Sequence, residues 1–233
     1  MLVSALTVFA IVPAMRKVEF DPLADFKPVA RLAEGARVFA IHPKIRANTV
    51  PEFVSYAKYN PGLLNYGSSG AGSAGHILTE SFRRAADIEL QHVPYRGAPS
   101  ALHDLITGNI DAMIDSSVVP HVKSGKLRGL AVAGDRRLPD LPDLPTLAEV
   151  GFPGLRTSGW QGLFGPAPLP PDIVGFYTHH LTQLYADETF RKKLIAARAV
   201  PAYLGPVEFG KLIADDNAYF GRIIRDAEIR WQN

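Results

Sequence analysis

The sequence has no cysteine, and neither basic nor acidic residues are in large excess. Without cysteine the chain cannot form a disulfide, a thiolate metal site or an iron–sulfur cluster, and it has no cysteine nucleophile. The 25 basic and 23 acidic side chains leave a formal net charge of only +2, with no block of five like charges. Such a surface does not attract a phosphate backbone, so we expect no nucleic acid partner. Any chemistry of this chain uses oxygen and nitrogen groups.

Long hydrophobic runs are also lacking. The apolar stretch from Leu2 to Met15 is too short to span a bilayer, which needs about 20 residues. A secretory signal carries positive charge before its apolar run, whereas Arg16 and Lys17 follow this one, so no signal peptide is expected in this chain. We expect a buried strand and a turn here. The 233 residues, 47% of them hydrophobic, suffice for one large domain or two small lobes.

Short strand and helix patterns alternate along the chain. Apolar runs predict the strands, apolar residues at helical spacing predict the helices, and glycine or proline separates them. The predicted strands are 38–41, 63–66, 88–93, 110–114, 127–133 and 159–165, and helices are expected to begin near residues 50, 77, 99, 118, 172, 188 and 208. This repetition predicts an α/β protein with parallel-rich sheets covered by helices.

The most informative segment is the stretch from Asn65 to His76, which is rich in glycine and serine. A predicted strand ends there and a helix begins. Glycine lets backbone N–H groups approach a ligand at the positive end of the helix dipole, which predicts a cradle for an anion. The candidate ligand-binding residues of this cradle are Ser68, Ser69, Gly70, Gly72, Ser73 and His76.

Two enzymatic alternatives share this geometry. The run Gly70 to Gly75 matches G-x-G-x-x-G, but the next strand ends in Tyr95-Arg96 without the acid that holds ribose hydroxyls. An arginine that accepts a 2′-phosphate leaves an NADP-binding domain as one alternative. The other is a serine hydrolase using Ser73, because Asp115 and His121 follow in the order of α/β-hydrolases.

The histidines do not form a metal-binding pattern. His179 and His180 are adjacent and point about 100° apart on a helix, and neither has a partner at i+4. His92, His103 and His121 are expected to be hydrogen-bonded structural residues. We therefore predict neither a metal nor a cofactor. Trp160, between glycines in a predicted strand, fits the wall of a ligand cleft as well as a packed core.

Eight short motifs, in order along nearly the whole chain, resemble those of one family. They lie at residues 20–29, 42–43, 65–76, 93–97, 108–114, 125–128, 144–151 and 160–167. Together they resemble the periplasmic solute receptors of tripartite tricarboxylate transporters, often called Bug proteins. The resemblance implies a two-lobed type II periplasmic-binding fold that closes on a small carboxylate without reacting with it, so the chain is not expected to be an enzyme.

The same resemblance implies domains, ligand and partners. Residues 1–36 with 157–233 are expected to form the first lobe, and residues 37–156 the second. The loop from Ser68 to Ser73 would hold one carboxylate, and Tyr95, Arg96 and Gly97 would lie at the end of the neighbouring strand. Asp115 would orient a water or a ligand group, and Trp160 would line the hinge side. The ligand would be a di- or tricarboxylate or a carboxylated aromatic or amino acid, and the partners the membrane components of the transporter.

The N-terminus departs from the family pattern. Similar proteins begin with a signal peptide and a strand that ends in a glycine-rich loop, and neither precedes Met1 in this chain. At about 30 residues each, two β-α units of roughly 60 residues are expected to be absent, which would leave the first lobe incomplete. We also expect an exposed apolar edge beside Leu2 to Phe9 that favours self-association.

Overall fold

A computed structural model describes residues 1–35, 37–134, 136–155, 159–197 and 199–226. These residues form two compact units, the terminal unit of residues 1–35 and 159–226 and the central unit of residues 37–155. The predicted lobes, 1–36 with 157–233 and 37–156, stay a prediction, and their junctions lie at residues outside the described ranges. Within those ranges no helix combines the length and the apolar character that crossing a membrane requires.

The central unit is built on a five-stranded sheet with the order β5-β4-β6-β3-β7. Its elements are β3 (Arg37–Ile41), α2 (Val50–Tyr59), β4 (Asn65–Ser68), α3 (Ala74–Ala85), β5 (Gln91–Pro94), α4 (Ala98–Thr107), β6 (Ala112–Asp115), α5 (Val119–Lys123) and β7 (Arg128–Ala133). β4 pairs in parallel with β5 and β6, whereas β3 pairs antiparallel with β6 and β7. The carboxyl ends of β4, β5 and β6 therefore lie along one edge of this sheet.

Local sequence signals explain where the central helices begin and end. Thr49 caps α2 by accepting a hydrogen bond from the amide of Glu52 at 3.3 Å, and the Glu52 side chain accepts from the amide of Asn48 at 2.7 Å. α4 ends at Gly108, whose φ of 78° only glycine adopts readily. The apolar faces of α2 and α3 bury Phe53 and Phe82 against Phe39 of β3, with ring centroids 5.1 and 5.0 Å from that of Phe39.

The terminal unit contains a four-stranded sheet with the order β1-β8-β2-β9, and each of its pairings is antiparallel. Its elements are β1 (Leu2–Ala5), a π-helical turn (Thr7–Ile11) that continues into α1 (Val12–Met15), β2 (Phe26–Glu34), β8 (Trp160–Pro166), α6 (Pro171–Ala186), α7 (Glu188–Ala196), β9 (Val200–Leu204) and α8 (Pro206–Asp226). Its aromatic core includes Phe9, Phe164 and Phe209.

Several expectations need correction. The predominance of parallel pairing is wrong, because the whole sheet of the terminal unit and the β3 pairings of the central unit are antiparallel. The run from Leu2 to Met15 is not a buried strand: only residues 2–5 are extended, and helical turns follow. Two strands were missed, 26–34 and 200–204. Each contains proline, and Pro28 borders a bulge in the pairing of β2 with β8, where the missing N–H is tolerated.

Candidate functional site

The candidate site lies at the edge of the central sheet where β4, β5 and β6 end. The loop 69–73 connects β4 to α3, residues 95–97 connect β5 to α4, and Asp115 is the last residue of β6. α3 starts unusually close to β6, because a Cβ atom at Gly75 would lie 2.7 Å from the carbonyl oxygen of Ile114. Glycine is required there for the helix to begin beside the sheet.

The glycine-serine loop is shaped by its own side chains. Ser68 is 1% exposed, and its Oγ accepts a hydrogen bond from the amide of Gly70 at 3.2 Å. The amide of Gly72 donates to Nδ1 of His76 at 3.0 Å. Gly70 and Gly72 have φ of 133° and 76°, values that strain any other residue. Ser68 and His76, predicted as ligand residues, thus have a structural use in holding the loop.

The start of α3 is the part of the loop best suited to an anion. Ser73 caps the helix, because its Oγ accepts from the amide of His76 at 3.3 Å. The amides of Ala74 and Gly75 belong to the first helical turn, whose donors have no acceptor within the helix and carry the positive end of its dipole. Ser69, in the same loop, is half-buried. Backbone and hydroxyl donors of this kind suit a carboxylate.

Beneath the loop lie three stacked rings. The centroid of His92 lies 3.9 Å from that of His76, at an interplanar angle of 9°, and 4.8 Å from that of Tyr66. Nε2 of His92 lies 2.7 Å from Oγ of Ser68. Burial, with a contribution from the neighbouring His76, lowers the pKa of His92 to about 4. Burial also lowers the pKa of His76, so both rings are uncharged at neutral pH.

The segment after β5 contains Tyr95, whose side chain is hydrogen-bonded, and Arg96, whose side chain has no partner among the described residues. The Tyr95 hydroxyl donates to Oδ2 of Asp104 at 2.6 Å, and burial together with this bond raises the pKa of Tyr95 to about 12. Arg96 is exposed and makes no hydrogen bond or ion pair within the described ranges. Gly97, at a φ of 121°, turns the chain into α4. Of the three predicted residues, Arg96 is the one whose charge remains available to an anion.

Asp115 is already engaged by its own turn. Its Oδ1 accepts from the amide of Ser117 at 2.9 Å. Its backbone pairs with Val38 of β3, and burial lowers the pKa of the adjacent Arg37 while the Asp115 carboxylate opposes that shift. The hydroxyl oxygen of Ser117 is buried and has no hydrogen-bond partner among the described residues. Ser117 was missed from the sequence because an ordinary turn serine carries no signal of its burial.

The prediction that Trp160 lines a ligand cleft is wrong. The side chain is fully buried in the core of the terminal unit, where its ring centroid lies 5.0 Å from that of Phe209. Its Nε1 donates to Oδ2 of Asp216 at 2.7 Å. A side chain without exposed surface cannot line a ligand cleft, so Trp160 is a core residue. Asp216 is its buried partner and is 9% exposed.

Ser73 does not have the hydrogen bonds or the backbone of a catalytic nucleophile. Its Oγ bonds a backbone amide, and Nδ1 of His76 accepts from Gly72 instead of from a serine hydroxyl. Ser73 has an ordinary extended backbone, with φ −66° and ψ 156°, whereas a nucleophile elbow is strained. Ser68 does contact a histidine, His92, but its side chain is buried. From the sequence, His92 was expected to be a structural residue. Its place on the strand next to the one that leads into the loop was the signal that could have predicted its contact with Ser68.

Two compact α/β units, one of them with a glycine-serine loop at the ends of parallel strands, are typical of the class of the periplasmic binding proteins. The structure is similar to that of an R. palustris protein solved with adipate, at 29% identity and a TM-score of 0.82, over 98% of this chain and 77% of that one. It is also similar to MatC of Rhodopseudomonas palustris with bound malate, at 27% identity and a TM-score of 0.75, over 95% of this chain and 78% of that one.

Within this class, the chain belongs to the TctC family, the tripartite tricarboxylate transporter family receptor, which matches residues 1–229. Protein BugT of Bordetella pertussis (strain Tohama I) is 27% identical over 214 residues, which are 91% of this chain and 66% of that protein. The chain thus spans slightly less than two thirds of the length of this relative. The predicted family and fold class are confirmed, and neither the hydrolase nor the NADP-binding alternative finds support in these likenesses.

Proposed function

We propose that this chain is an extracytoplasmic solute receptor that binds a small carboxylate at the start of α3. The observation that carries the proposal is the loop 69–73, which contains Ser69 and leads through the capping residue Ser73 into the first amides of α3. These groups donate hydrogen bonds, and the helix dipole adds positive potential. They bind and orient an anionic end group and offer no group that would react with it.

A dicarboxylate is the favoured ligand class. The related structures hold adipate and malate, both of which carry two carboxylates. One carboxylate would accept from the loop, and the exposed Arg96 would attract the negative charge of the ligand. Tricarboxylates and carboxylated aromatic or amino acids belong to the same proposal, because the loop recognises an end group and not the body of the molecule.

The remaining parts of the proposal follow from the family. Residues 1–36 with 157–233 would form one lobe and residues 37–156 the other. The receptor would deliver its ligand to the membrane components of a tripartite transporter, and it would act in the periplasm. No cofactor is proposed. Turnover is not proposed either, since the family is one of receptors.

The direct test is a titration with malate and adipate, in which binding is measured by calorimetry and by the chemical shifts of backbone amides. Arg96→Ala should weaken binding by about 1.5–3 kcal/mol, the worth of a hydrogen bond to a charged group, or roughly 10- to 150-fold. Arg46→Ala is the matched control, because Arg46 is also exposed but follows β3 at the opposite end of the sheet.

Four results would count against the proposal. No binding of either dicarboxylate by the unmodified chain would contradict it, as would equal losses in the Arg96 and Arg46 variants. Ester hydrolysis that disappears in Ser73→Ala would favour the hydrolase instead. A rise of the melting temperature with NADPH would favour the dinucleotide alternative.

A further inference from the structure

The two stacked histidines beneath the loop are connected to it at two separate points. Nδ1 of His76 accepts from the amide of Gly72 at 3.0 Å. Nε2 of His92 lies 2.7 Å from Oγ of Ser68, and that same oxygen accepts from the amide of Gly70 at 3.2 Å. Each of the two glycines that turn the loop through positive φ is therefore fixed, directly or through one hydroxyl, by an imidazole ring.

This arrangement depends on the protonation state of the rings. A protonated Nδ1 of His76 carries a hydrogen and cannot accept from Gly72. The ring centroids are 3.9 Å apart at an interplanar angle of 9°, so a positive charge on one ring disfavours a charge on the other. Two uncharged rings, in contrast, stack without repulsion and leave Nδ1 of His76 as an acceptor.

The groups that face the histidines come from β4 and α3. Tyr66 of β4 stacks on His92, and its hydroxyl donates to Oε1 of Glu80 at 2.7 Å. Glu80 favours a charged imidazole, but it is itself bound by Arg83 at 2.8 Å. Ser68 adds a neutral hydroxyl. Burial outweighs the attraction to Glu80 and keeps the pKa of both histidines below the ordinary value.

We propose that His76 and His92 are positioning residues that keep the loop 68–73 in its anion-binding shape only while both rings are uncharged, so that acidification releases the loop. This inference rests on the proposed function for its consequence, a loss of carboxylate affinity in acid. The change of loop shape itself does not depend on any ligand, and it is tested separately.

The first test follows the loop without ligand. Amide and imidazole resonances of the full chain are recorded by NMR from pH 7.5 to pH 3.5. The amide of Gly72 should shift with the ring of His76, and the amide of Gly70 with the ring of His92, whose midpoint should lie near pH 4. Loop amides that do not follow the ring, or a ring of His92 that titrates at about 6.5 as in a free peptide, would overturn the inference.

Two variants separate positioning from general folding. His92→Gln retains a neutral hydrogen-bonding group near the position of Nε2, so the amide shifts of Gly70 and Gly72 at pH 7 should be retained while the transition near pH 4 is reduced. His92→Phe keeps a flat ring but loses the bond to Ser68, and should shift both amides already at pH 7. His103→Gln, at an exposed position of α4, is the matched control and should change neither. Retention of the full acid transition in His92→Gln would overturn the inference.

The second test uses malate and adipate as probes. If binding needs both rings uncharged, the dissociation constant of the unmodified chain should rise by about twofold at pH 4 relative to that of His92→Gln, in proportion to the charged fraction. Protonation of the probe is the same for both proteins and cancels in this ratio. Absence of binding at every pH would contradict the proposed function alone, and the amide titration would still decide the loop. Binding with a constant ratio, together with loop amides that do not titrate, would overturn the inference alone.

Discussion

The indole of Trp160 shows how one polar contact is placed inside an aromatic core. Nε1 donates to the carboxylate of Asp216 at 2.7 Å, and Phe9, Phe164 and Phe209 surround the ring. A hydrogen bond to a charged group is worth about 1.5–3 kcal/mol, and an indole also fills more volume than a phenyl ring. Trp160 therefore contributes to the stability of the terminal unit and not to ligand contact.

Replacement of Trp160 by phenylalanine should lower the free energy of unfolding by about 2–4 kcal/mol, because it removes this bond and leaves a cavity. The measurement is urea denaturation. Tyr59→Phe, at a side chain that is 88% exposed, serves as the control and should stay within about 0.5 kcal/mol of the unmodified chain. A loss of carboxylate affinity in Trp160→Phe with unchanged stability would restore Trp160 to the ligand site.

The histidine pair should also give the stability of the chain a defined pH dependence. An unfolded histidine has a pKa of about 6.5, whereas burial and His76 lower the pKa of folded His92 to about 4. Between these values the unfolded state binds more protons. The stabilisation is therefore complete above about pH 6.5 and is lost as the pH falls towards 4.

This dependence is measured by urea midpoints at pH 7.5, 6.5, 5.5 and 4.5. The midpoint should fall across the series, and the slope should be smaller in His92→Gln, which does not titrate. His103→Gln should keep the slope of the unmodified chain, because His103 is exposed. Identical slopes in all three proteins would show that His92 is not protonated more readily on unfolding.

At the scale of elements, the contact between α3 and β6 positions the candidate site. A Cβ atom at Gly75 would lie 2.7 Å from the backbone oxygen of Ile114, a distance that neither element can relieve by rotating a side chain. Gly175 also lies within a helix, but it has open space around it, because a Cβ atom there would meet no atom of the described residues within 4 Å.

Alanine at these two helical glycines should therefore have opposite effects. Gly75→Ala should destabilise the chain by about 1–3 kcal/mol, since α3 must move away from β6, and it should weaken carboxylate binding as well. Gly175→Ala should stabilise it by about 0.5–1 kcal/mol through the higher helix propensity of alanine. Thermal unfolding and a malate titration of both variants provide the comparison. Equal stability of the two variants would contradict the close approach.

Elements were predictable where a local signal coincided with the final contact. The capping residues of α2 and the glycine at the end of α4 locate those helices, and both signals act within one turn. The strand 26–34 was missed because Pro28 demotes it by local rules, although its pairing with β8 and β9 satisfies the backbone. The direction of β3 was missed because strand polarity depends on partners far along the chain.

At the scale of the whole molecule, β1 forms an edge of the terminal sheet. Leu2 and Val3 on this strand are 42% and 62% exposed, whereas Phe9, which was expected to share the exposed edge, is 1% exposed. An exposed apolar edge strand presents unpaired backbone groups beside apolar side chains and can pair with another chain.

We expect the chain to self-associate with increasing concentration and Val3→Lys to weaken that association, because a lysine on an edge strand opposes pairing. Sedimentation velocity over a hundredfold concentration range measures the effect. Val207→Lys is the control, since Val207 is 79% exposed but lies in the first turn of the helix α8 and on no strand. A monomer at all concentrations, or equal effects of the two lysines, would contradict the prediction.

The sequence alone determined the family, the α/β class and the position of the glycine-serine loop between β4 and α3. These depend on short-range patterns, namely glycine-rich turns, helix caps and ordered motifs, whose physical effects act over a few residues. Only the tertiary structure decided what the side chains of the cradle do. Ser68 and His76 turn inward to hold the loop because His92, on a neighbouring strand, provides their partner and their stacking surface. The prediction for Trp160 failed for the same reason. Its indole is hydrogen-bonded inside a core to the carboxylate of Asp216, 56 residues along the chain. Contacts across such separations depend on the packing of sheets and helices, which no local pattern specifies.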